Sequence, residues 1–331
     1  MENEVLNTIK KYKLIEEQDK IICGVSGGPD SICMLDILRK IKEEKKIDFE
    51  IVVVHVNHQI REEANLDEQY VIQYCEKNKI RYYVKRIDVK KYANNKKQGT
   101  EEAGREVRYK FFEEIFKKEI ANKIAIAHNK NDKVETIIMN VLRGSGISGL
   151  KGIEPIREKK YIRPLIETER KDIDKYCEEK KLNPRIDKTN FINDCTRNKI
   201  RNIAIPYIKQ EFNPNIIETI DRLSNLIEEE DVYLNKKTEE IYNNIKLTEK
   251  KGCSIIDLKK FNNQELIIKK RLIIYTINKV VGNVQNIEKI NIDDIIKLCE
   301  RNIGNKYLTP NKKIKILVNK GKIFFENLLQ N

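Results

Sequence analysis

The chain has 331 residues, a length that suits two domains, with 40% hydrophobic residues, 35% charged residues and a net charge of +13. No apolar run reaches the roughly 18 residues that would span a bilayer, and the N-terminal stretch lacks the apolar core of a secretory signal. Seven cysteines are scattered without a CxxC pair, so a disulfide framework, a structural zinc site and a cysteine-held iron–sulfur cluster are unsupported, and a reducing cytoplasm is the expected location.

Residues 1–210 carry a net +9 and residues 211–331 a net +4. Both halves are basic, which points to a polyanionic partner such as nucleic acid; a solvated lysine coat is the alternative. In chain order, residues 20–26 form a short apolar run of buried-strand type. Residues 30–46 place Ile32, Leu35, Leu38 and Ile41 on one helical stripe. Residues 49–56 read as a second strand, 62–79 as helix, 80–89 as strand, 100–119 as helix, 123–128 as strand and 132–143 as helix. This alternation predicts a parallel sheet covered on both faces. Residues 143–153 then hold four of the 13 glycines, at 144, 146, 149 and 152, and predict a special loop. Helix is expected at 169–181. Near 210 the alternation stops. Residues 215–245 and 258–300 read as helical, and the last stretch as a hairpin turning at Asn319, Lys320 and Gly321. The predicted division is residues 1–210 and 211–331, the second part smaller and mainly helical.

The chemistry-bearing motifs lie at the carboxyl ends of the predicted strands, where open α/β sheets bind ligands. Ser26, Gly27, Gly28, Pro29, Asp30 and Ser31 stand directly between strand and helix. Glycines there let backbone N–H groups face an anion, and the helix N-terminus adds its positive dipole. No lysine follows, so this is not the GxxxxGK[ST] loop, and it is not GxGxxG either. An aspartate inside an anion site makes sense if it also holds Mg²⁺. His55, His58 and His128 are the three histidines, all at strand ends; His55 is equally readable as a core residue. Arg105 and Arg108 share a helix face, fit to grip phosphate or to form a solvated charge surface. Asp132 and Glu135, three apart at a helix start beside His128, could hold Mg²⁺ or bind an amine and take its proton; the alternative is acidic residues that suit the helix dipole. Arg197, Asn198 and Arg201 end a further motif in which Asp187 and Asn190 have turn chemistry.

SGGPDS at 26–31 is the signature of the PP-loop, or N-type ATP pyrophosphatase, family. With HVNHQIR (55–61), EEAGREVRYKFF (101–112), AHNKNDKVET (127–136), RGSGISGLKG (143–152), IRPLIE (162–167) and DKTNFINDCTRNKIR (187–201), it resembles the tRNA(Ile)-lysidine synthetase branch of that family over about residues 18–210. The resemblance implies a doubly wound, adenine-nucleotide α-hydrolase type of sheet. It also implies a ligase that uses ATP and Mg²⁺ to join free L-lysine to C2 of the wobble cytidine of a tRNA(Ile) with a CAU anticodon. The cytidine is first adenylated, so pyrophosphate and then AMP are released. By match, Ser26, Gly27, Gly28, Pro29, Asp30, Ser31, His55 and Arg108 bind ATP, with Asp30 on Mg²⁺. Asp132, Glu135 and His128 serve the lysine amine, and Arg197 stabilises charge. Arg201 and the basic stretch 301–322, with Lys312, Lys313 and Lys315, are expected to touch the tRNA backbone. No membrane partner is expected, and a homodimer is open. Asn131 departs from the pattern, standing where many relatives carry a second aspartate, and longer relatives continue into a further C-terminal domain. A PP-loop tRNA thiolase, an amidotransferase-linked synthetase and an inactive RNA-binding module are the competing readings.

Overall fold

The computed structural model describes residues 1–59, 63–185, 192–284, 286–301 and 306–329. Packing divides the chain into two compact units, Met1–Asn225 and Leu226–Asn331.

The first unit is built on a six-stranded sheet. In chain order its strands are β1 (Asp19–Gly24), β2 (Phe49–Asn57), β3 (Arg81–Arg86), β4 (Lys123–Ile126), β5 (Ile156–Arg157) and β6 (Tyr161–Ile162), arranged β3-β2-β1-β4-β6-β5. All neighbouring pairs are parallel except β5–β6. The helices are α1 (Glu2–Lys11), α2 (Pro29–Glu43), α3 (Ala64–Lys77), α4 (Val89–Lys96), α5 (Thr100–Lys118), α6 (Lys130–Leu142), α7 (Ile147–Leu150), α8 (Arg170–Glu179), α9 (Thr196–Lys199) and α10 (Ile205–Glu211). Helix α11 (Ile216–Ile245) follows, and the division between the units falls inside it. Strands β1 and β2 are buried on both faces, which is why they read as apolar, β-branched runs, whereas edge strand β3 is partly exposed. Ile21, Cys23, Ile51 and Val53 face one core with Ile32, Leu35 and Leu38 of α2. Their strand neighbours Ile22, Val52 and Val54 face the other core with Phe111, Phe112 and Ile115 of α5.

The expected doubly wound α/β fold is therefore present, with strand and helix limits within a few residues of those read from periodicity. Residues 211–225, expected beyond the boundary near 210, pack with the first unit. Side-chain bonds hold them there: Lys130 Nζ to Glu218 at 2.9 Å, Lys133 Nζ to Asp221 and to Asn225 Oδ1 at 2.8 Å each, and Ser224 Oγ donating to the Lys151 carbonyl at 3.0 Å.

The second unit holds α12 (Leu258–Asn262), α13 (Leu266–Val281), α14 (Lys289–Arg301) and a five-stranded antiparallel sheet. Its strands are β7 (Lys246–Lys250), β8 (Cys253–Asp257), β9 (Lys306–Asn311), β10 (Ile314–Asn319) and β11 (Lys322–Asn327), in the order β7-β8-β11-β10-β9. The expected helices are there, and the expected hairpin is part of a wider sheet. β7 is an edge strand whose LTEK stretch is mostly exposed, so it lacks the alternation that reveals a half-buried strand. At the hairpin itself, Lys320 and Gly321 both take positive φ, 47° and 71°, the geometry of a tight turn between β10 and β11. Ile314, Ile316 and Val318 alternate into the core with Ile323 and Phe325.

Candidate active site

The chain leaves β1 through α2 toward β2, then returns from β3 through α4 and α5 to β4 on the other side of β1. The strand order thus reverses between β1 and β4, and a crevice must open there at the carboxyl ends. Both informative motifs lie on its two sides.

On the β1 side, Gly28 caps α2 with φ −76° and ψ 165°, and Pro29 opens the helix. The cap offers no side-chain acceptor. The first intrahelical bond runs from Ile32 N to Gly28 O at 3.0 Å, so the Asp30 and Ser31 amides precede it and are left for an anion. Gly27 has φ +91°, which only glycine adopts freely. Ser26 and Ser31 brace the turn: Ser26 N donates to Ser31 Oγ at 3.1 Å, the two hydroxyls are 3.2 Å apart, and Ser31 Oγ donates to Gly28 O at 3.0 Å. His55 supports the loop from behind. Its Nδ1 lies 2.8 Å from the Val25 carbonyl, and its Nε2 is buried without a hydrogen bond. His55 therefore sits between its two readings, half core prop and half open nitrogen.

On the β4 side, Asn129 caps α6 in a reciprocal box. Asp132 N donates to Asn129 Oδ1 at 3.0 Å, and Asn129 N donates to Asp132 Oδ2 at 3.1 Å. The side-chain nitrogen of Asn129 crosses the crevice and donates to Asp30 Oδ1 at 2.8 Å. Arg170 donates to the other Asp30 oxygen at 3.0 Å. One side chain thus links the phosphate loop to the acidic helix. Burial pushes the Asp30 carboxyl up, with Arg170 opposing and the Asp132 charge adding to the rise.

Glu135, one turn further along α6, is 1% exposed. Arg201 grips it with Nε to Oε1 at 2.6 Å and NH2 to Oε2 at 2.7 Å, and reaches Asp132 Oδ1 at 3.0 Å. Burial raises the Glu135 carboxyl, and Arg201 holds it down. Arg201 lies in a π-helical stretch, Ile200–Ala204, between α9 and α10. Pro206 in α10 lacks an N–H and would clash with the carbonyl one turn back, and the wider turn relieves this. Arg197 donates to Thr136 Oγ1 at 2.8 Å, and its Nε stands 3.7 Å from Glu135. His128 accepts at Nδ1 from Arg163 Nε at 3.1 Å, and burial pushes its pKa down to about 4.

The structure thus brings together Asp30, His128, Asp132, Glu135 and Arg197. Arg201, expected at the tRNA backbone, has its guanidinium engaged by two carboxylates at this crevice. Arg108 is exposed on α5 and makes no hydrogen bond or ion pair with the described residues. His58 lies beside it, pushed down to about 4 chiefly by burial. Lys312, Lys313 and Lys315 lie in the second unit, on the β9–β10 turn and the start of β10. Asp187, Asn190 and Arg61 lie outside the described residues. The glycine-rich stretch runs from the exposed turn after α6 through α7.

Three residues escaped the sequence reading. Asn129 had a signal, an Asn three before an acid at a helix start. Arg170 and Arg163 had none, because their partners are 140 and 35 positions away. Asn131, the departure from the double aspartate, accepts from the Arg170 amide at 3.0 Å and so caps α8 with an oxygen that aspartate would equally supply.

The donor set suits Mg²⁺. Asp30 and Asp132 could offer hard oxygen atoms on either side of Asn129, each with lone pairs to spare. Among the described residues no cluster of three or more ligating side chains exists.

Comparison with known proteins decides the family. A model described as the PP-loop domain matches residues 1–208. The tRNA(Ile)-lysidine synthase of Clostridium acetobutylicum is 46% identical over 98% of this chain and 69% of its own length. That of Clostridioides difficile is 43% identical over 98% and 70%, and that of Clostridium tetani 44% over 99% and 70%. The chain belongs to the tRNA(Ile)-lysidine synthase family. The resemblance drawn from the motifs is borne out, as is the reading of an ATP-using ligase of tRNA modification. The same fold occurs in the U34-tRNA thiolase NcsA from Methanococcus maripaludis with its [4Fe-4S] cluster, with a TM-score of 0.55 and 20% identity over 68% of this chain and 78% of that one. At that identity the likeness is one of fold. No helix among the described residues is long and apolar enough to cross a membrane.

Proposed function

We propose that this lysidine synthase homologue joins free L-lysine to C2 of the wobble cytidine of a CAU-anticodon tRNA(Ile). The C2 oxygen attacks the α-phosphorus of ATP, forming an O–P bond as the bond to pyrophosphate breaks. The lysine amine then forms a C–N bond at C2, the C–O bond breaks, and AMP leaves with that oxygen. The surplus amine proton passes to a carboxylate.

The observation that carries this reading is the Asn129 bridge. It sets a pyrophosphate-type loop and an amine-type carboxylate pair across one crevice, as a two-step transfer on one substrate requires. Gly27, Gly28 and the Asp30 and Ser31 amides would hold pyrophosphate, with Arg108 free to reach phosphate oxygens. Asp30 and Asp132 would hold Mg²⁺, which neutralises phosphate charge when bound. Asp132 and Glu135 share Arg201, and their remaining lone pairs can receive an ammonium. Lys312, Lys313 and Lys315 would contact tRNA phosphates. A cytoplasmic setting suits a tRNA substrate.

The test is incorporation of labelled lysine into a CAU-anticodon tRNA(Ile) transcript with ATP and Mg²⁺, against a transcript with U at the wobble position and elongator tRNA(Met). Label in the first transcript alone, with one AMP per lysine, is expected. ATP cleaved to AMP without label would refute lysine as the nucleophile and turn the test to sulfide.

A further inference from the structure

The histidine of this site has two candidate jobs, proton acceptor or hydrogen-bond donor, and its tautomer decides between them. An arginine Nε–H cannot give up its proton in a protein, so the atom it faces must supply a lone pair. Arg163 Nε stands 3.1 Å from His128 Nδ1. With the lone pair on Nδ1, the proton of the neutral ring lies on Nε2.

Arg163 is built to hold that geometry. It is 4% exposed, follows Ile162 at the end of β6, donates through NH1 to the Glu154 carbonyl, and its own amide donates to the Pro155 carbonyl at 3.0 Å. β6 runs parallel to β4 with Ala125 opposite Ile162, so Arg163 and His128 emerge side by side at the carboxyl ends. His128 Nε2 makes no hydrogen bond with the described residues, and the residue is only partly buried.

We infer that His128 works as a neutral Nε2–H donor, fixed in that tautomer by Arg163, and does not take the proton of the incoming amine. The charged groups that face the ring are Arg163, Arg105, Arg197 and Asp132; burial and the three arginines disfavour a second proton, with Asp132 opposing. A donor among cations suits an oxygen that gains negative charge. In the reaction proposed above, on which this inference rests, that oxygen is the one leaving C2 with AMP. Proton acceptance from lysine then falls to Asp132 or Glu135. Arg163 is a positioning residue.

The full chain has three histidines, so [¹⁵N]histidine labelling with long-range ¹H–¹⁵N correlation at pH 7 resolves each ring, assigned by His55→Gln and His58→Gln. His128 is expected as the Nε2–H tautomer; an imidazolium or an Nδ1–H tautomer overturns the inference. Kinetics supply the second arm. His128→Ala should lower kcat for lysine incorporation by about 10²–10³-fold, and His128→Gln, whose amide N–H lies near the Nε2 position, should recover about tenfold of that. Equal loss in both variants overturns the donor role. Arg163→Lys keeps the charge but not the Nε geometry. It should lower kcat with KM for lysine unchanged and shift the ring to a mixture of tautomers; an unchanged spectrum overturns the positioning role. Wild-type protein that incorporates no lysine would refute the proposed function, yet leave the spectroscopic result standing on its own.

Discussion

The crevice of the first unit and the basic sheet of the second both carry charge, and they use it differently. Around the crevice, ionic groups pair at hydrogen-bond distance: Asp30 with Arg170, Glu135 with Arg201, Lys133 with Asp221. On the sheet, Lys315 stands 3.9 Å from Glu326 of β11 and lies over the Tyr307 ring, while Lys312 is exposed. Buried charges must be paired, because desolvation is costly; exposed charges are screened and can stay loose. The crevice therefore has a fixed geometry, and the sheet is a surface whose charge is available to a diffuse polyanion.

If that contrast holds, substitutions should separate into large, geometry-dependent losses and small, salt-dependent ones. The largest effect is expected for Asp30→Asn, which keeps the shape but removes the charge that the proposed function sets against metal and phosphate. Lysine incorporation should fall by about 10³-fold or more, with circular dichroism unchanged. Activity within tenfold of wild type would detach Asp30 from the chemistry.

Arg201→Met comes next. It leaves the buried Glu135 without its hydrogen-bonded partner, with Arg197 3.7 Å away as the remaining cation, so denaturant melts should show a loss of about 3 kcal/mol, on the scale for breaking a buried pair. Arg201→Met combined with Glu135→Gln should regain most of the stability while staying inactive. Failure of the double variant to recover would place the cost in packing of the guanidinium and not in the orphaned charge.

The sheet side of the comparison predicts less. Replacing Lys312, Lys313 and Lys315 with Glu should weaken tRNA binding at low salt and flatten the dependence of log Kd on log salt, by a slope of about one for each phosphate that the variant no longer reaches. Identical slopes for variant and wild type would show that these lysines serve solubility alone.

A pH titration of stability gives the smallest effect. His58 and His128 titrate near 4 in the folded chain, against 6.5 when unperturbed. Between those values the unfolded chain binds more protons, so this contribution is full above pH 6.5 and is lost as the pH falls toward 4. His58→Gln should flatten the decline of Tm over that window; an unaltered decline would assign it to other groups.

Much of this protein was legible in one dimension. The two-faced apolar runs of β1 and β2, the stripe of α2 and the turn at Lys320 and Gly321 are local patterns, set by side-chain period and backbone sterics. The turn at residues 26–31 was also legible, since its conformation depends on consecutive residues. Edge strand β7 was not, because its pairing with β8 leaves it mostly exposed and without alternation.

What only the tertiary structure decided is partnership. The sequence placed Asp132 and Glu135 on one face, but not the arginine that joins them, 69 and 66 positions later. It marked Asp30 and His128 as chemical groups, but not that Asn129 and Arg170 hold the first, or that Arg163 faces Nδ1 of the second. The reason is physical. A motif specifies which atoms are present along a short stretch of backbone, whereas the charge state and direction of a buried group follow from whatever the fold delivers within about 3 Å of it.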